Sequence, residues 1–101
     1  MDARMKALED FLKFLKGNFE GRIEEVYLFG SYVRGDYTEE SDVDLLVVGD
    51  VSLDELIDGI FNVLMRHGVV LNVVVEKPEE FKRWRDTSFH RTVINEGIRV
   101  Y

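Results

Sequence analysis

Apolar residues recur along this chain at two periods, and the alternation between them predicts the elements. Over residues 3–19, Met5, Leu8, Phe11, Leu12, Leu15 and Phe19 fall at helical spacing, while Lys6, Glu9, Asp10, Lys13 and Lys16 take the other side. Gly17-Asn18 supplies a stop signal near the end of that helix. Glu25–Phe29 is apolar and β-prone and ends at Gly30-Ser31, after which a short helical turn and a polar loop are expected. Val43–Val48 is apolar on both faces except at Asp44, the pattern of a strand covered on both sides. Ser52, with Glu55 three residues on, predicts a capping box. Behind it Leu53, Leu56, Ile57, Ile60, Phe61, Leu64 and Met65 form one helical stripe that closes on Arg66-His67-Gly68. Val69–Glu76 reads as a third strand. Pro78 opens a helix carrying Phe81 and Trp84, Asp86-Thr87-Ser88 recaps it, and the second piece ends at Gly97. Ile98–Tyr101 is a terminal extended segment.

This order predicts an α/β (α+β) fold, a small mixed β-sheet packed on helices. The second and third strands, joined by the helix over 52–67, are expected to run parallel. The link from the first strand to the second holds little helix and allows either direction. A length of 101 residues predicts one small domain spanning 1–101. Met5 and Met65 read as core filler, His67 as a cation at a helix C-terminus, and His90 as a surface residue.

Charge and composition narrow the function. Thirteen Lys and Arg against twenty Asp and Glu give a net charge of −7. That balance argues against stable nucleic-acid binding through a broad basic surface and fits a divalent cation or a basic partner. Without cysteine there is no thiolate chemistry and no zinc–sulfur site. The longest apolar runs, Val69–Leu71 and Val73–Val75, are too short to span a bilayer, and the first residues lack the apolar stretch of a signal peptide. The expectation is a cytoplasmic protein with no membrane role.

The chemistry concentrates in two neighbouring segments, Gly30-Ser31-Tyr32-Val33-Arg34-Gly35 and Ser41-Asp42-Val43-Asp44-Leu45. Gly30 ends a strand where the chain must turn and lets the backbone approach a ligand. Ser31 begins a helical turn, where free N–H groups and a hydroxyl suit a phosphate. Asp42 and Asp44, two apart in a strand, project from the same face. Paired carboxylates on a rigid edge suit Mg²⁺, which takes oxygen ligands and keeps substrate phosphates in its shell. Each feature alone has an ordinary reading, a turn for Gly-Ser and capping or edge charge for the two acids. Their combination points to a site for a metal-bound nucleoside triphosphate. Arg34 either contacts phosphates or pairs with Asp36 or Glu39.

These residues resemble the minimal nucleotidyltransferase (MNT) family of the DNA-polymerase-β-like nucleotidyltransferase superfamily. The family pattern G-S-x-x-R-G, a short loop and S-D-x-D-L is matched by residues 30–45 without a gap. The leading helix, the valine-rich third strand and a tail like Phe89-His90-Arg91-Thr92-Val93-Ile94-Asn95-Glu96-Gly97 extend the resemblance over nearly the whole chain. It implies the nucleotidyltransferase core, an NTP substrate such as ATP, and Mg²⁺ as cofactor. Asp42 and Asp44 would be metal-binding and catalytic, with Gly30, Ser31 and Arg34 on the nucleotide. It also implies a setting, since such proteins are commonly antitoxins of a HEPN-domain ribonuclease, and some nucleotidylate a tyrosine of that partner.

One position departs from the family. Where a third carboxylate is normal on the third strand, this chain has Asn72. An amide can offer a carbonyl oxygen to a cation, but it carries no charge and accepts no proton. Glu76 shares the parity of Asn72 on the strand, but about 13 Å of extended chain separates them. Two functions follow as rivals: transfer of NMP to an acceptor hydroxyl with weakened catalysis, or a binding module that neutralises a HEPN partner by contact alone. Polymerase-like activity is disfavoured by the charge and by the lack of a primer-gripping domain. Base preference, acceptor and oligomeric state, a homo-oligomer included, stay open.

Overall fold

Over residues 2–38 and 42–101, which the computed structural model describes, the elements alternate as the sequence pattern predicts. They are α1 (Ala3–Phe19), β1 (Ile23–Phe29), α2 (Ser31–Arg34), β2 (Val43–Gly49), α3 (Leu53–His67), β3 (Leu71–Glu76), α4 (Pro78–Arg83), α5 (Ser88–Glu96) and β4 (Ile98–Arg99). The α3 capping box is present in both directions, and Gly68 at φ +66° ends that helix in the left-handed conformation. α1 ends at Phe19, as the pattern predicts, one residue past the Gly17-Asn18 stop signal. Asn18 Nδ2 donates to the Phe14 carbonyl at 2.9 Å, and the helix continues until Phe19 is buried.

The sheet order is β3-β2-β1-β4. β2 and β3 run parallel, with Asp44 beside Asn72 and Val48 beside Glu76. β1 and β2 run antiparallel, with Phe29 beside Asp44. The direction left open by the sequence is therefore settled as antiparallel, in keeping with a link whose described residues carry one turn of helix. The sheet is mixed. Its α/β arrangement matches the predicted fold class.

Successive β2 residues go to opposite faces and so build two cores. Val43, Leu45 and Val47 pack with Ala7, Phe11 and Leu15 of α1 and Leu56 of α3. Leu46 and Val48 pack with Phe81 of α4 and Val93 of α5. The first core is tight where α1 crosses α3, because a Cβ on Gly59 would lie 2.4 Å from Phe14 Cδ2. The α3 stripe is only half used. Leu56 is buried and Ile60 half-buried, but Leu53, Ile57, Phe61, Leu64 and Met65 are exposed. Met5 is exposed as well, so neither methionine is core filler. No helix among the described residues is long and apolar enough to cross a membrane.

Three carboxylates tie the layers together at the surface. Asp10 on α1 meets His67 Nε2 at the end of α3 at 2.6 Å, Glu55 receives Arg22 at 2.9 Å, and Asp50 receives Lys77 at 2.9 Å. All three are held below the ordinary carboxylate range. The causes are the His67 hydrogen bond for Asp10, the Ser52 N–H and then Arg22 for Glu55, and Lys77 for Asp50. A carboxyl whose folded pKa is depressed contributes stability that is complete above its unfolded pKa, about 4, and is lost as pH falls through the folded value.

Two outcomes follow. Gly59→Val forces the Phe14 ring out of place and should lower stability by about 1–3 kcal/mol in urea unfolding. Thermal midpoints measured on acidification should hold to about pH 5 and then fall. The fall should be shallower in Glu55→Gln; an equal slope would remove Glu55 from the explanation.

Candidate functional site

The chain leaves β1 at Gly30 with φ +86° and ψ −158°, a conformation that L residues other than glycine rarely adopt. It then enters α2, whose first bond, Arg34 N–H to the Gly30 carbonyl, spans 3.1 Å. The N–H groups of Ser31, Tyr32 and Val33 precede that bond at the open end of the turn. Gly35 at φ +83° ends it. A Cβ built on Gly30 would stand 2.1 Å from Asp44 Oδ2 and 2.9 Å from its Cγ. The Asp44 carboxylate thus lies against the bare α-carbon of the turn, and only glycine fits there.

On its other side the same carboxylate meets β3, where Asn72 Nδ2 donates to Asp44 Oδ1 at 3.0 Å. Asp44 is half-buried, Asn72 is exposed, and Asp42, the residue before β2, is exposed. Val43 points into the first core and its N–H donates to the Val70 carbonyl at 3.0 Å. By strand alternation residues 42 and 44 therefore flank it on the opposite face. That is the face α4 and α5 cover: Leu46, Val48 and Val74 lie under them with Tyr27 and Phe29 of β1, and Phe89 of α5 meets Phe29 edge-on at 5.5 Å. Asp44 and Asn72 are one register step beyond, at the end left open. Among the described residues no three His, Cys, Asp or Glu side chains group as a metal cage.

Of the residues singled out in the sequence, Gly30, Asp44 and Asn72 are brought into contact, with Ser31 next in the chain at the start of α2. Arg34 pairs with Asp36, Nε to Oδ2 at 3.4 Å, both exposed, which is one of its two readings. Ser41 and Glu39 lie outside the described residues. Glu76 is not part of the site. It is buried at the far end of the same face, with both carboxylate oxygens 2.7 Å from His90 Nε2. His90 is accordingly no surface residue, since its ring is buried and its Nδ1 is 2.6 Å from Thr87 Oγ1. A buried carboxylate needs a hydrogen-bonding partner, and nothing in the spacing of residues 76 and 90 announces this one.

Comparison with known proteins now decides the family. The family model described as a nucleotidyltransferase domain matches residues 6–100. The chain belongs to that nucleotidyltransferase family. A protein of Methanocaldococcus jannaschii named "Putative protein adenylyltransferase" is 50% identical over 95% of this chain and 96% of its own length. Among solved structures, one named "putative minimal nucleotidyltransferase" is similar at TM-score 0.67 and 24% identity, covering 99% of this chain and 97% of that one. A complex of tri-AMPylated Shewanella oneidensis HEPN toxin with MNT antitoxin is similar at TM-score 0.60 and 19% identity, covering 98% of this chain and 71% of that one. These two likenesses concern the fold. Nucleotidyltransferases of this family generally use a divalent metal.

Beside the turn, this nucleotidyltransferase domain holds a brace that sequence reasoning missed. The Tyr32 hydroxyl donates to the Asp2 carboxylate at 3.0 Å, and its ring meets Tyr37 edge-on at 4.9 Å. Arg4 lies over the Tyr37 ring at 5.0 Å. Asp2 also caps α1 through the Met5 N–H at 2.9 Å. Burial, then the Asp2 carboxylate, push the Tyr32 phenol up. The start of α1 is thereby tied to the turn that carries Gly30 and Ser31. Tyr32 stands at an unspecified place in the G-S-x-x-R-G pattern, so no motif signal marks it.

Gly30→Ala places a methyl where Asp44 Oδ2 stands and puts alanine at positive φ. It should lower stability by about 1–3 kcal/mol. The two-dimensional NMR signals of Asp44 and Asn72 should shift while those of Glu76 and His90 stay; unshifted Asp44 signals would contradict the contact.

Proposed function

We propose that this protein is a Mg²⁺-dependent nucleotidyltransferase that binds ATP and transfers AMP to a hydroxyl of a protein partner, acting in the cytoplasm as antitoxin to a HEPN-domain toxin. The observation that carries the reading is the seat of Asp44 against the Gly30 turn, which sets a carboxylate beside the N–H groups that open α2. In this reading Gly30, Ser31 and Arg34 hold the triphosphate, and Asp42 and Asp44 hold the metal. The donor set fits Mg²⁺, because two carboxylates on one strand face leave room for phosphate oxygens and water in an octahedral shell. When bound, that ion neutralises triphosphate charge and polarises the reacting phosphorus.

The chain's own residues do the rest. Gly30 lets the backbone approach the phosphates, and Ser31 orients them with its hydroxyl and N–H. Asn72 steadies Asp44 through its amide N–H. The acceptor oxygen bonds to the α-phosphorus as the bond to pyrophosphate breaks. The acceptor proton passes to solvent water, since the Asn72 amide is no base near neutral pH and cannot take it. The reading therefore gives a slow enzyme. The partner assignment is supported by the HEPN toxin–MNT complex among the fold neighbours and by the net charge of −7, which favours a basic partner.

The bond from Asn72 to Asp44 favours one rival, a module with the same fold that neutralises its partner by contact alone. Labelled ATP incubated with the protein and a co-expressed HEPN partner separates them. The enzyme reading expects label on the partner, reduced about 10²-fold or more in Asp44→Asn and in Asp42→Asn. Absence of label, with a tight complex that survives both changes, would establish the module instead. Asn72→Asp sets two carboxylates side by side. It should raise the transfer rate and make the thermal midpoint more responsive to Mg²⁺ than in the wild type; an unchanged rate would undercut the role given to position 72.

A further inference from the structure

The sheet face that carries Asp44 is bordered by an aromatic ring that the proposed function leaves without a task. Phe29, the last residue of β1, stands beside Asp44 in the antiparallel register and directly precedes Gly30. Partners across a ladder point to the same face, so the Phe29 ring and the Asp44 carboxylate are neighbours. Phe89, in the first turn of α5, meets the Phe29 ring edge-on at 5.5 Å and 85°. It is nevertheless 40% exposed. Its contact with His90, at 5.2 Å and 87°, is edge-on as well. Among the described residues no ring lies flat on Phe89, whereas Tyr27 and Phe81 on the same face are stacked on each other.

Position and chemistry together narrow what this ring meets. A cross-strand step of about 5 Å and one ring contact bring Phe89 to on the order of 10 Å from the Asp44 backbone. A nucleoside triphosphate with its phosphates at the Gly30 turn carries its base at that range, across one ribose. The base is a flat π-system, and stacking on an aromatic side chain is a strong and general way to hold one. The other exposed aromatic side chains stand elsewhere. Tyr37 lies under Arg4 and against Tyr32, and Tyr32 packs with the first core, across the sheet from Asp44. Phe61 is on α3, which also packs on the first core. Trp84 meets His90 at 6.3 Å, beside the Glu76 pair at the other end of the face.

We propose that Phe89 is the stacking platform for the base of the bound nucleotide, which lies flat on the exposed side of its ring. This role rests on the Gly30 turn and Asp44 forming the metal–triphosphate site proposed above, and extends that site to the base. A phenyl ring offers no hydrogen bond, so Phe89 fixes where the base lies without reading its edges. With phosphates gripped at one end and the base at the other, the α-phosphorus is positioned between them, at the acids of β2. Phe29 orients Phe89 from the residue that precedes the phosphate turn, so both grips share one anchor.

Calorimetry of the full chain with Mg²⁺-ATP, and with Mg²⁺-tripolyphosphate, which lacks base and ribose, tests this. Phe89→Ala should weaken ATP binding about tenfold or more and leave tripolyphosphate binding unchanged. Phe89→Trp should bind ATP at least as tightly as the wild type. In wild-type NMR spectra the Phe89 ring protons should move upfield with ATP and stay with tripolyphosphate, a readout that requires no variant to fold. ATP binding unchanged in Phe89→Ala, equal weakening of both ligands, or Phe89 ring signals indifferent to ATP would overturn the proposal and leave the metal–triphosphate site standing. Binding of neither ligand by the wild type would remove that site, and the platform with it.

Discussion

One carboxylate organises this molecule. Asp44 is fixed from two sides, by the bare α-carbon of Gly30 at the end of β1 and by the Asn72 amide on β3. Each constraint comes from a different neighbour of β2, so the position of Asp44 depends on the whole three-strand register. A shift of one residue in either pairing would move the carboxylate to the other face of the sheet. The valines and leucines of β2 hold that register, since they are buried on both faces and lose two cores at once if it slips.

The same strand explains why a polar site survives beside so much apolar surface. On the face shared by Asp44, Leu46 and Val48, α4 and α5 bury the apolar pair and reach Phe29 beside the acid, which itself stays half-buried. At the closed end Glu76 is buried and paired with His90, which ties the end of β3 to α5. At the open end Asp44 and Asn72 meet solvent. One face thus carries a carboxylate at either end, one built into the packing and one left available, and the helices covering the sheet make the difference.

Much of this was legible in the residues. The capping box at Ser52 and Glu55, the left-handed end at Gly68 and the proline start of α4 are local devices, and local devices are read from local sequence. Gly30 and Asp44 were legible because their chemistry is unusual where they stand, a glycine closing a strand and an acid inside an apolar one. What escaped depends on contacts between distant positions. His90 with Glu76, and Tyr32 with Asp2, join residues whose spacing carries no period. The α3 stripe was legible as an apolar face, and Met65 within it was read as core filler, yet periodicity shows only that a face is apolar and not what covers it. The direction of β2 relative to β1 is likewise a property of packing.

The central claim is that a cation binds at the open end of this face, between the turn at Gly30 and the acids of β2. Mn²⁺, a paramagnetic stand-in for Mg²⁺, tests it directly through the broadening of backbone amide signals. The account predicts broadening centred on Gly30, Asp42, Asp44 and Asn72, strengthened by ATP, with Glu76 and His90 left sharp. Broadening centred instead on the acids of α3, or uniform across the chain, would contradict it.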